Sequence, residues 1–205
     1  MYAFYINSSV CSGCKTCQSA CKDKNDLKPG INWRRVYDIQ GGGYKSENGT
    51  FTTVPFAYNL SVSCFNCENP RCMTACPTKA IYENENGIIL IDHDLCMGCR
   101  YCEWVCPYGA PQYDPEIKMM TKCNLCEDYI SEGKKPSCVD SCPMRALDFG
   151  TANEMKSKYG SVAQVFPLPD PSVTGPGMIL KAHKDSIRAT ASNAVANFRE
   201  DQQDE

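Results

Sequence analysis

Sixteen of the 205 residues are cysteines, and they fall into four groups of four with none left over. The groups comprise Cys11, Cys14, Cys17 and Cys21; Cys64, Cys67, Cys72 and Cys76; Cys96, Cys99, Cys102 and Cys106; and Cys123, Cys126, Cys138 and Cys142. A proline directly follows the last cysteine of the second, third and fourth groups. The third group reads CMGCRYCEWVCP, which is the spacing with which bacterial ferredoxins ligate iron-sulfur clusters. The pattern predicts four cluster sites.

The apolar composition also indicates a fold that is stabilised by more than a hydrophobic core. Leu, Ile, Val and Phe together number 36, about 18% of the chain, which is below the roughly 20% usual for folded domains. Disorder does not fit, because the net charge is only -3 and the chain has 18 Tyr and Phe residues. We therefore expect a protein that is stapled by metal or by covalent cross-links.

Disulfide bonds and zinc are two other uses of so many cysteines. Cysteines separated by two residues in one loop are poorly placed to pair with each other, and no secretory signal supports export. Paired CxxC units can form all-cysteine zinc sites, but three closely spaced cysteines with a distant fourth and a following proline are not that pattern. Iron-sulfur clusters are favoured, and because every group keeps four cysteines, each site can hold a complete 4Fe-4S cubane.

The ligand sets follow from the crossed pattern of two-cluster ferredoxins, in which the fourth cysteine of a group ligates the other cluster. A hairpin with strands at residues 80–83 and 88–92 and a turn at Asn86-Gly87 separates the two middle groups. The middle groups then form one ferredoxin unit, and the outer groups pair across it. The predicted sets are Cys11, Cys14, Cys17 with Cys142; Cys123, Cys126, Cys138 with Cys21; Cys64, Cys67, Cys72 with Cys106; and Cys96, Cys99, Cys102 with Cys76.

The predicted fold is α+β, with two nested ferredoxin-like modules that each bind two 4Fe-4S clusters, a β-hairpin insertion and an extended C-terminal arm. An internal echo supports two modules, because CPTKAIYE after the second group and CPMRALDF after the fourth share a Pro, two residues, Ala and an aliphatic residue. The expected boundaries are residues 1–21 plus 118–150 for the outer module, 64–117 for the inner module, 22–63 for the inserted hairpin, and 151–205 for a short helix and a subunit-binding arm.

Local patterns predict the remaining elements. Short runs of aromatic and aliphatic residues indicate strands at 3–6, 57–62 and 118–121. The insertion is predicted to be a hairpin that pairs residues 33–39 with residues 50–56 around the turn Gly41-Gly42-Gly43.

The C-terminal segment is predicted to begin with a helix and to continue as an extended arm. A capping box of Thr151 and Glu154 begins the helix, which ends at Gly160. The prolines between Pro167 and Pro176 then predict a segment without regular structure. We expect such an arm, which has no core of its own, to lie on another subunit.

Several other side chains lie near the cysteines in sequence. Tyr101 and Trp104 are expected to pack over a cluster and exclude water from it. Five cations are expected either to be solvated or to raise the reduction potentials of nearby clusters: Arg71, Lys79, Arg100, Lys122 and Arg145. The two histidines, His93 and His183, have no metal-like spacing and are expected to be ordinary surface groups.

The motifs that are absent from the sequence limit the function. The chain has no plausible catalytic triad, phosphate loop or nicotinamide or flavin fingerprint, and its charge gives no case for nucleic acid. Its apolar stretches are too short for a membrane span. We therefore predict a non-catalytic subunit that conducts electrons through four saturated clusters between two other redox centres. The alternatives are an independent enzyme and a diffusible polyferredoxin.

The cysteine loops also resemble a known family. The runs CSGCKTCQSACK, CMGCRYCEWVCPYGAPQY, MTKCNLC and EGKKPSCVDSCPMRALDFG resemble the iron-sulfur electron-transfer subunit of dimethyl sulfoxide reductase complexes, over residues from about 3 to about 180. The resemblance implies a molybdopterin catalytic subunit, a membrane anchor subunit that oxidises quinol, and electron flow from quinol to molybdenum. Sulfoxides or N-oxides are the expected substrates, whereas tetrathionate reductase, polysulfide reductase or catechol dehydroxylase partners are alternatives.

The same resemblance implies a location. We expect a peripheral subunit of a membrane complex that has no export signal of its own. It would be exported while bound to a catalytic subunit with a twin-arginine signal, or otherwise stay on the cytoplasmic face.

Overall fold

The computed structural model describes residues 1–160 and 164–197. Its strands there are β1 Tyr2–Asn7, β2 Arg35–Gly41, β3 Tyr44–Glu47, β4 Thr50–Thr53, β5 Phe56–Val62, β6 Ile81–Glu83, β7 Ile89–Ile91, β8 Gln112–Asp114, β9 Met119–Thr121, β10 Leu147–Thr151, β11 Met178–Lys181 and β12 Ala194–Asn197. Its α-helices are α1 Thr16–Lys24, α2 Arg71–Thr74, α3 Tyr101–Val105, α4 Glu127–Ser131, α5 Ser137–Asp140 and α6 Ala152–Tyr159. The strands predicted before the first, second and fourth cysteine groups are confirmed as β1, β5 and β9.

Two three-stranded sheets and three hairpins organise these strands. In the first sheet, β1 lies between β10, which is antiparallel to it, and β11, which is parallel to it. In the second sheet, β2 lies between β5 and β12 and is antiparallel to both. The hairpins are β3–β4, β6–β7 and β8–β9, and the second of these confirms the hairpin predicted between the middle cysteine groups.

The strand pairings connect the four cysteine groups in a closed order. The strand that follows each group pairs with the strand that precedes the next one, as β2 with β5, β6 with β7 and β8 with β9. After the fourth group, β10 pairs with β1, which precedes the first group. The pairing of β10 with β1 therefore joins the two ends of the cysteine-bearing region. The β6–β7 pairing joins the two middle groups in the same way, but its strands are close in sequence, whereas β10 and β1 are far apart.

Cysteines supply much of the interior, as the thin apolar composition led us to expect. Phe4, Ile6, Ile39, Leu60 and Phe65 are almost fully buried in the main hydrophobic cluster. Cysteines from all four groups pack in or against that same cluster, and a smaller one contains further cysteines. A cofactor bound by these cysteines would therefore occupy part of the interior that aliphatic side chains fill in most other proteins.

The predicted pairing within the inserted hairpin is wrong. Residues 35–41 of β2 pair with residues 56–62 of β5, while Thr50–Thr53 of β4 pairs with Tyr44–Glu47 of β3 in a small hairpin beyond them. Burial explains the difference, because Phe56, Tyr58 and Leu60 alternate on a buried face, whereas all residues of β3 and β4 are exposed. The run of three glycines marks the junction of the two hairpins and not the turn.

The expectation that the C-terminal arm has no regular structure is also wrong. Met178, Ile179 and Leu180 are buried, and β11 extends the sheet beside β1, while β12 pairs with β2. The prolines do not prevent this, because they all precede β11. Residues 161–163 and 198–205 of the predicted arm lie outside the described residues.

The helix predicted from the capping box is confirmed as α6. The Thr151 hydroxyl accepts a hydrogen bond from the Glu154 backbone N–H, the Glu154 carboxylate accepts one from the Thr151 N–H, and Gly160 ends the helix. The α6 helix packs on β1, where the rings of Tyr5 and Tyr159 stack with centroids 3.6 Å apart. It also supplies two donors to Asp148, a buried carboxylate of β10.

Replacing Asp148 with Asn should destabilise this corner of the fold. Burial would raise the pKa of Asp148, but hydrogen bonds from Lys135, Lys158 and Tyr159, at 2.6, 2.8 and 2.6 Å, hold that pKa well below its usual range. The carboxylate therefore stabilises the fold above the ordinary Asp pKa, and this stabilisation is lost as the pH falls below it. We expect Asp148→Asn to cost about 1–3 kcal/mol at neutral pH, read as a lower Tm.

The matched control for Asp148→Asn is Asp26→Asn, which removes an exposed carboxylate paired with Lys28 at 3.2 Å. Exposed ion pairs of this kind add little to stability, so the control should melt close to the parent protein. Equal melting temperatures for the two variants at neutral pH would contradict the assignment of Asp148 as a structural carboxylate.

Candidate functional site

The four cysteine groups share one local backbone conformation. The third residue of the first CxxC unit in each group has a positive φ: 71° at Gly13, 46° at Asn66, 69° at Gly98 and 59° at Leu125. Glycine and asparagine adopt this left-handed conformation readily, whereas a buried leucine adopts it only where the surrounding structure imposes it. The repeat seen in the sequence is therefore also a repeat of the backbone turns that hold the thiols.

Two of the predicted ligand sets line cavities. Cys64, Cys67, Cys72 and Cys106 line one cavity together with apolar neighbours such as Phe65. Cys76, Cys96, Cys99 and Cys102 line a second one together with residues such as Met120. We call these site 3 and site 4, respectively.

The other two predicted sets are brought together at the outer groups. Cys11 lies close enough to Cys14, Cys17 and Cys142 for their charges to affect its pKa, and these four cysteines form site 1. Cys21 is affected in the same way by Cys126 and Cys138, and Cys123 by Cys21 and Cys138. Cys21, Cys123, Cys126 and Cys138 form site 2.

Hydrogen bonds to sulfur support the thiols from the backbone. The N–H of Ala110 donates to the Cys106 sulfur at 3.4 Å, and the N–H of Ala146 donates to the Cys142 sulfur at 3.3 Å. Each alanine lies four residues after its cysteine, and Ala146 belongs to the repeated Pro, two residues, Ala pattern, which gives that echo a physical role. Donors aimed at ligand sulfurs stabilise thiolates and raise the reduction potential of a cluster that they bind.

The donor set suits 4Fe-4S clusters. All sixteen cysteines are free of disulfide bonds. Burial raises the pKa of Cys21, Cys67 and Cys72 to about 12, and that of Cys11 and Cys102 to about 11. Metal ligands must be thiolates, so a metal ion bound at these buried positions would take the place of the proton. Four soft sulfur donors around an apolar cavity are the environment that a cubane requires.

The cysteines of neighbouring sites lie close enough to affect one another, and this proximity places the sites in a row. The charge of Cys138 in site 2 raises the pKa of Cys17 in site 1. In the same way, the charge of Cys64 in site 3 raises the pKa of Cys123 in site 2. Cys72 of site 3 packs against the small hydrophobic cluster that contains Cys102 of site 4. The order is therefore site 1, site 2, site 3, site 4.

The ends of this row are more open than its middle. Cys14 of site 1 and Cys99 of site 4 are the exposed members of the sixteen. The four cysteines of site 2 are all buried. The row is therefore most accessible from outside at sites 1 and 4.

Of the five predicted cations, one is buried among the sites. Lys122 is 5% exposed, and its ammonium group donates to the carbonyls of Ile89 and Cys123 and lies 3.9 Å from the Cys64 sulfur. It thus stands between sites 2 and 3. The other four cations are exposed to solvent, which is the alternative stated for them above. They are Arg71, Lys79, Arg100 and Arg145.

Sequence reasoning missed two further buried cations, Arg34 and Arg35. Arg34 is 1% exposed, and its guanidinium donates to the hydroxyls of Ser61 and Ser63. Arg35 donates to the carbonyls of Tyr108 and Gly109, and its charge acts on Cys106 of site 3. The only signal in the sequence is a pair of arginines at the start of a strand with buried neighbours.

The expected packing of Tyr101 and Trp104 over a cluster is wrong. Trp104 is 74% exposed and Tyr101 48% exposed, while Cys102 between them is buried. The short helix α3 directs Cys102 inward, so that residues one position before and two positions after it turn away from the core. His93 is exposed, as expected, whereas His183 is half-buried and stacks on Tyr58.

In the part of the chain that the structure describes, no helix is both long enough and apolar enough to cross a bilayer.

Comparison with known proteins agrees with the cysteine pattern. The family model of the 4Fe-4S dicluster domain matches residues 56–152. The B subunit of anaerobic dimethyl sulfoxide reductase from Escherichia coli (strain K12) is 49% identical over 185 residues, covering 90% of each protein. The subunit of the same name from Haemophilus influenzae is 43% identical over 201 residues, covering 97% of this chain and 98% of the relative. The B subunit of polysulfide reductase from Wolinella succinogenes is 40% identical over 162 residues, covering 78% and 82%.

Fold, thiol sites and comparisons together define an iron-sulfur protein of the 4Fe-4S class, which serves as a non-catalytic electron-transfer subunit of an oxidoreductase complex. The chain belongs to the family of dimethyl sulfoxide reductase B subunits.

Proposed function

We propose that this chain holds four 4Fe-4S clusters, one in each of sites 1 to 4, and relays electrons through them from a quinol-oxidising membrane anchor subunit to a molybdopterin catalytic subunit. The observation that carries the proposal is the row of four thiol sites with an exposed cysteine at each end. The bound clusters would supply one-electron redox centres. The protein supplies their order, their ligands and an interior that excludes water.

The proposal includes the nested arrangement of modules. The outer module, residues 1–21 and 118–150, would hold sites 1 and 2, and the inner module, residues 64–117, would hold sites 3 and 4. Within each module the two sites exchange their fourth cysteine. In support, β10–β1 in the outer module corresponds to β6–β7 in the inner one, since each joins the strand after a CP motif to the strand before a CxGC motif.

The remaining segments would attach to these modules. Residues 22–63 carry the inserted hairpins, and residues 151–205 carry α6 and the segment that we propose to bind another subunit. The described part of that segment adds β11 and β12 to the sheets of this chain. A partner would therefore contact strands that already belong to the sheets of this chain.

The relatives suggest the partners and the reaction. Their names describe the B subunits of dimethyl sulfoxide and polysulfide reductases, so we propose that the catalytic partner reduces a sulfoxide or an N-oxide. Polysulfide reduction is the second candidate, because one relative at 40% identity is named for it. Export on a twin-arginine-bearing catalytic subunit, or else a position on the cytoplasmic face, remains a prediction from the resemblance.

A redox cycle in the native complex tests the relay. The complex is purified anaerobically, a quinol analogue is added, and cluster absorbance is followed before and after addition of dimethyl sulfoxide. We expect quinol to bleach the clusters and sulfoxide to restore them. The isolated chain, reduced chemically, should not be reoxidised by sulfoxide. Sulfoxide turnover by the isolated chain, or a complex whose clusters quinol cannot reduce, would contradict the proposal.

A further inference from the structure

Arg34 is a fully buried cation whose hydrogen-bonding side-chain partners are neutral. It lies just before β2, its guanidinium donates to the hydroxyls of Ser61 and Ser63 at 3.0 and 2.9 Å, and its carbon Cζ lies 4.4 Å from the centre of the Phe4 ring. Its Nε has no hydrogen-bond partner within the described residues. No carboxylate within the same residues forms an ion pair with Arg34.

Such a charge requires an anion. Moving an ionised group from water to a protein interior is unfavourable unless the charge is paired, and an arginine cannot escape by losing its proton. The two serine hydroxyls and the Phe4 ring are polar or polarisable but carry no net charge, so they offset only part of that cost. The compensating negative charge must therefore come from something else within reach of Arg34.

The groups within reach are the thiols of sites 1 and 2. Burial alone would lower the pKa of Arg34, but the charges of Cys138, Cys17 and Cys123 raise it above the ordinary arginine value. Ser61, which binds the guanidinium, lies 3.6 Å from the Cys17 sulfur of site 1. The backbone N–H of Arg34 donates a hydrogen bond to the sulfur of Cys21 in site 2. Arg34 thus reaches site 1 through Ser61 and site 2 through its own backbone, so it stands between the two sites.

We propose that the fixed positive charge of Arg34 raises the reduction potentials of the clusters at sites 1 and 2 together. The inference rests on the proposed function, because it requires clusters in these two sites. A cubane with four thiolate ligands is anionic and becomes more so when it accepts an electron. A fixed positive charge between two such clusters stabilises the reduced form of each one, and the low-dielectric surroundings keep the charge from being screened.

The proposal distinguishes charge from shape, and substitutions can separate the two. Arg34→Met keeps an apolar stem of similar length but removes the charge. Arg34→Lys keeps the charge, although one ammonium group cannot reproduce the two-pronged contact with both hydroxyls. Arg100→Met is the matched control, because Arg100 is exposed and paired with Glu103 at 2.9 Å near site 4.

The measurement is a redox titration of the full complex followed by electron paramagnetic resonance, with iron content determined on the same samples. Serine substitutions at Cys14 and Cys126 first assign the signals of sites 1 and 2. We expect Arg34→Met to weaken reduction of both clusters at least tenfold, which is about 59 mV for a one-electron couple. Arg34→Lys should keep most of the potential, and Arg100→Met should leave sites 1 and 2 unchanged.

Several outcomes would overturn the proposal. They are unshifted potentials in Arg34→Met with full iron, equal shifts in Arg34→Met and Arg34→Lys, and equal shifts at all four sites. If Arg34→Met fails to assemble, iron content decides: retention of all clusters in Arg34→Lys supports the charge, and loss in both variants contradicts it. Absence of four cluster signals from the parent complex would instead refute the proposed function, before any Arg34 variant is compared.

Discussion

Serine in place of Cys102 should convert the cubane of site 4 into a three-iron cluster while the fold survives. Cys102 is the buried member of a set whose other three cysteines lie nearer the surface. A hydroxyl is a harder and less acidic ligand than a thiol, so one iron becomes labile. The three remaining thiolates of site 4 and the clusters of the other three sites still cross-link the chain and stabilise its fold. Because site 4 ends the row, a changed potential there should also interrupt quinol-linked reduction.

Electron paramagnetic resonance of the oxidised Cys102→Ser complex tests the ligand, and quinol-linked turnover tests the route. Leu95→Ser is the control, since Leu95 directly precedes the same loop, is 52% exposed and has no thiol. It should retain the cubane and full turnover. An unchanged spectrum in Cys102→Ser would refute the ligand assignment. A three-iron signal with undiminished turnover would refute the claim that site 4 is an indispensable step.

Alanine in place of Gly98 should remove the cluster of site 4 without any change in ligands. Gly98 lies between Cys96 and Cys99 with a φ of 69°, and a Cβ there would collide with the carbonyl oxygen of Lys118. A left-handed conformation costs an alanine about 1–2 kcal/mol, and the collision adds to that cost because backbone must move. The loop should shift away from the β8–β9 hairpin. We expect iron to fall from about sixteen to about twelve atoms per chain.

Gly43→Ala is the matched control for Gly98→Ala. A Cβ at Gly43 meets nothing within 4 Å, and the residue lies far along the chain from every cysteine group. This variant should keep its iron and its quinol-linked turnover. Full iron and turnover in Gly98→Ala would show that the loop of site 4 tolerates the displacement, and that the left-handed turn is not what positions Cys96 and Cys99.

The cysteine sets were predictable because their spacing is set by a local requirement. A loop that offers three thiols to one cubane needs them two residues apart, and the fourth reaches the neighbouring cluster. The structure brings two of the predicted sets together around cavities, at sites 3 and 4. Capping of α6 was predictable for a similar reason, since Thr151 and Glu154 bond each other's backbone within one helical turn.

The inserted hairpin and the arm were harder because their pairing is not local. Residues 50–56 and 56–62 both read as strands, and only burial of Phe56, Tyr58 and Leu60 against the core decides which one pairs with β2. The short apolar run Met178–Leu180 follows a proline-rich stretch, and its partner β1 lies at the other end of the chain.

Buried charge was the least predictable part of the site. Arg71, Lys79, Arg100 and Arg145 are close to cysteines in sequence but are exposed to solvent, whereas Arg34 is thirteen residues after Cys21 and lies among thiols. The position of Arg34 depends on Ser61 and Ser63 at the end of a paired strand. A sequence contains both serines but does not indicate that they face the same arginine.

Counting iron and acid-labile sulfide in anaerobically purified protein determines whether this chain carries four 4Fe-4S clusters. Sixteen thiols in four sets predict about sixteen iron and about sixteen sulfide per chain. The Cys102→Ser variant, analysed beside it, should contain about fifteen iron, because its cubane loses one. About eight iron per chain in fully loaded parent protein, or stoichiometric zinc with little iron, would show that the chain does not hold four cubanes.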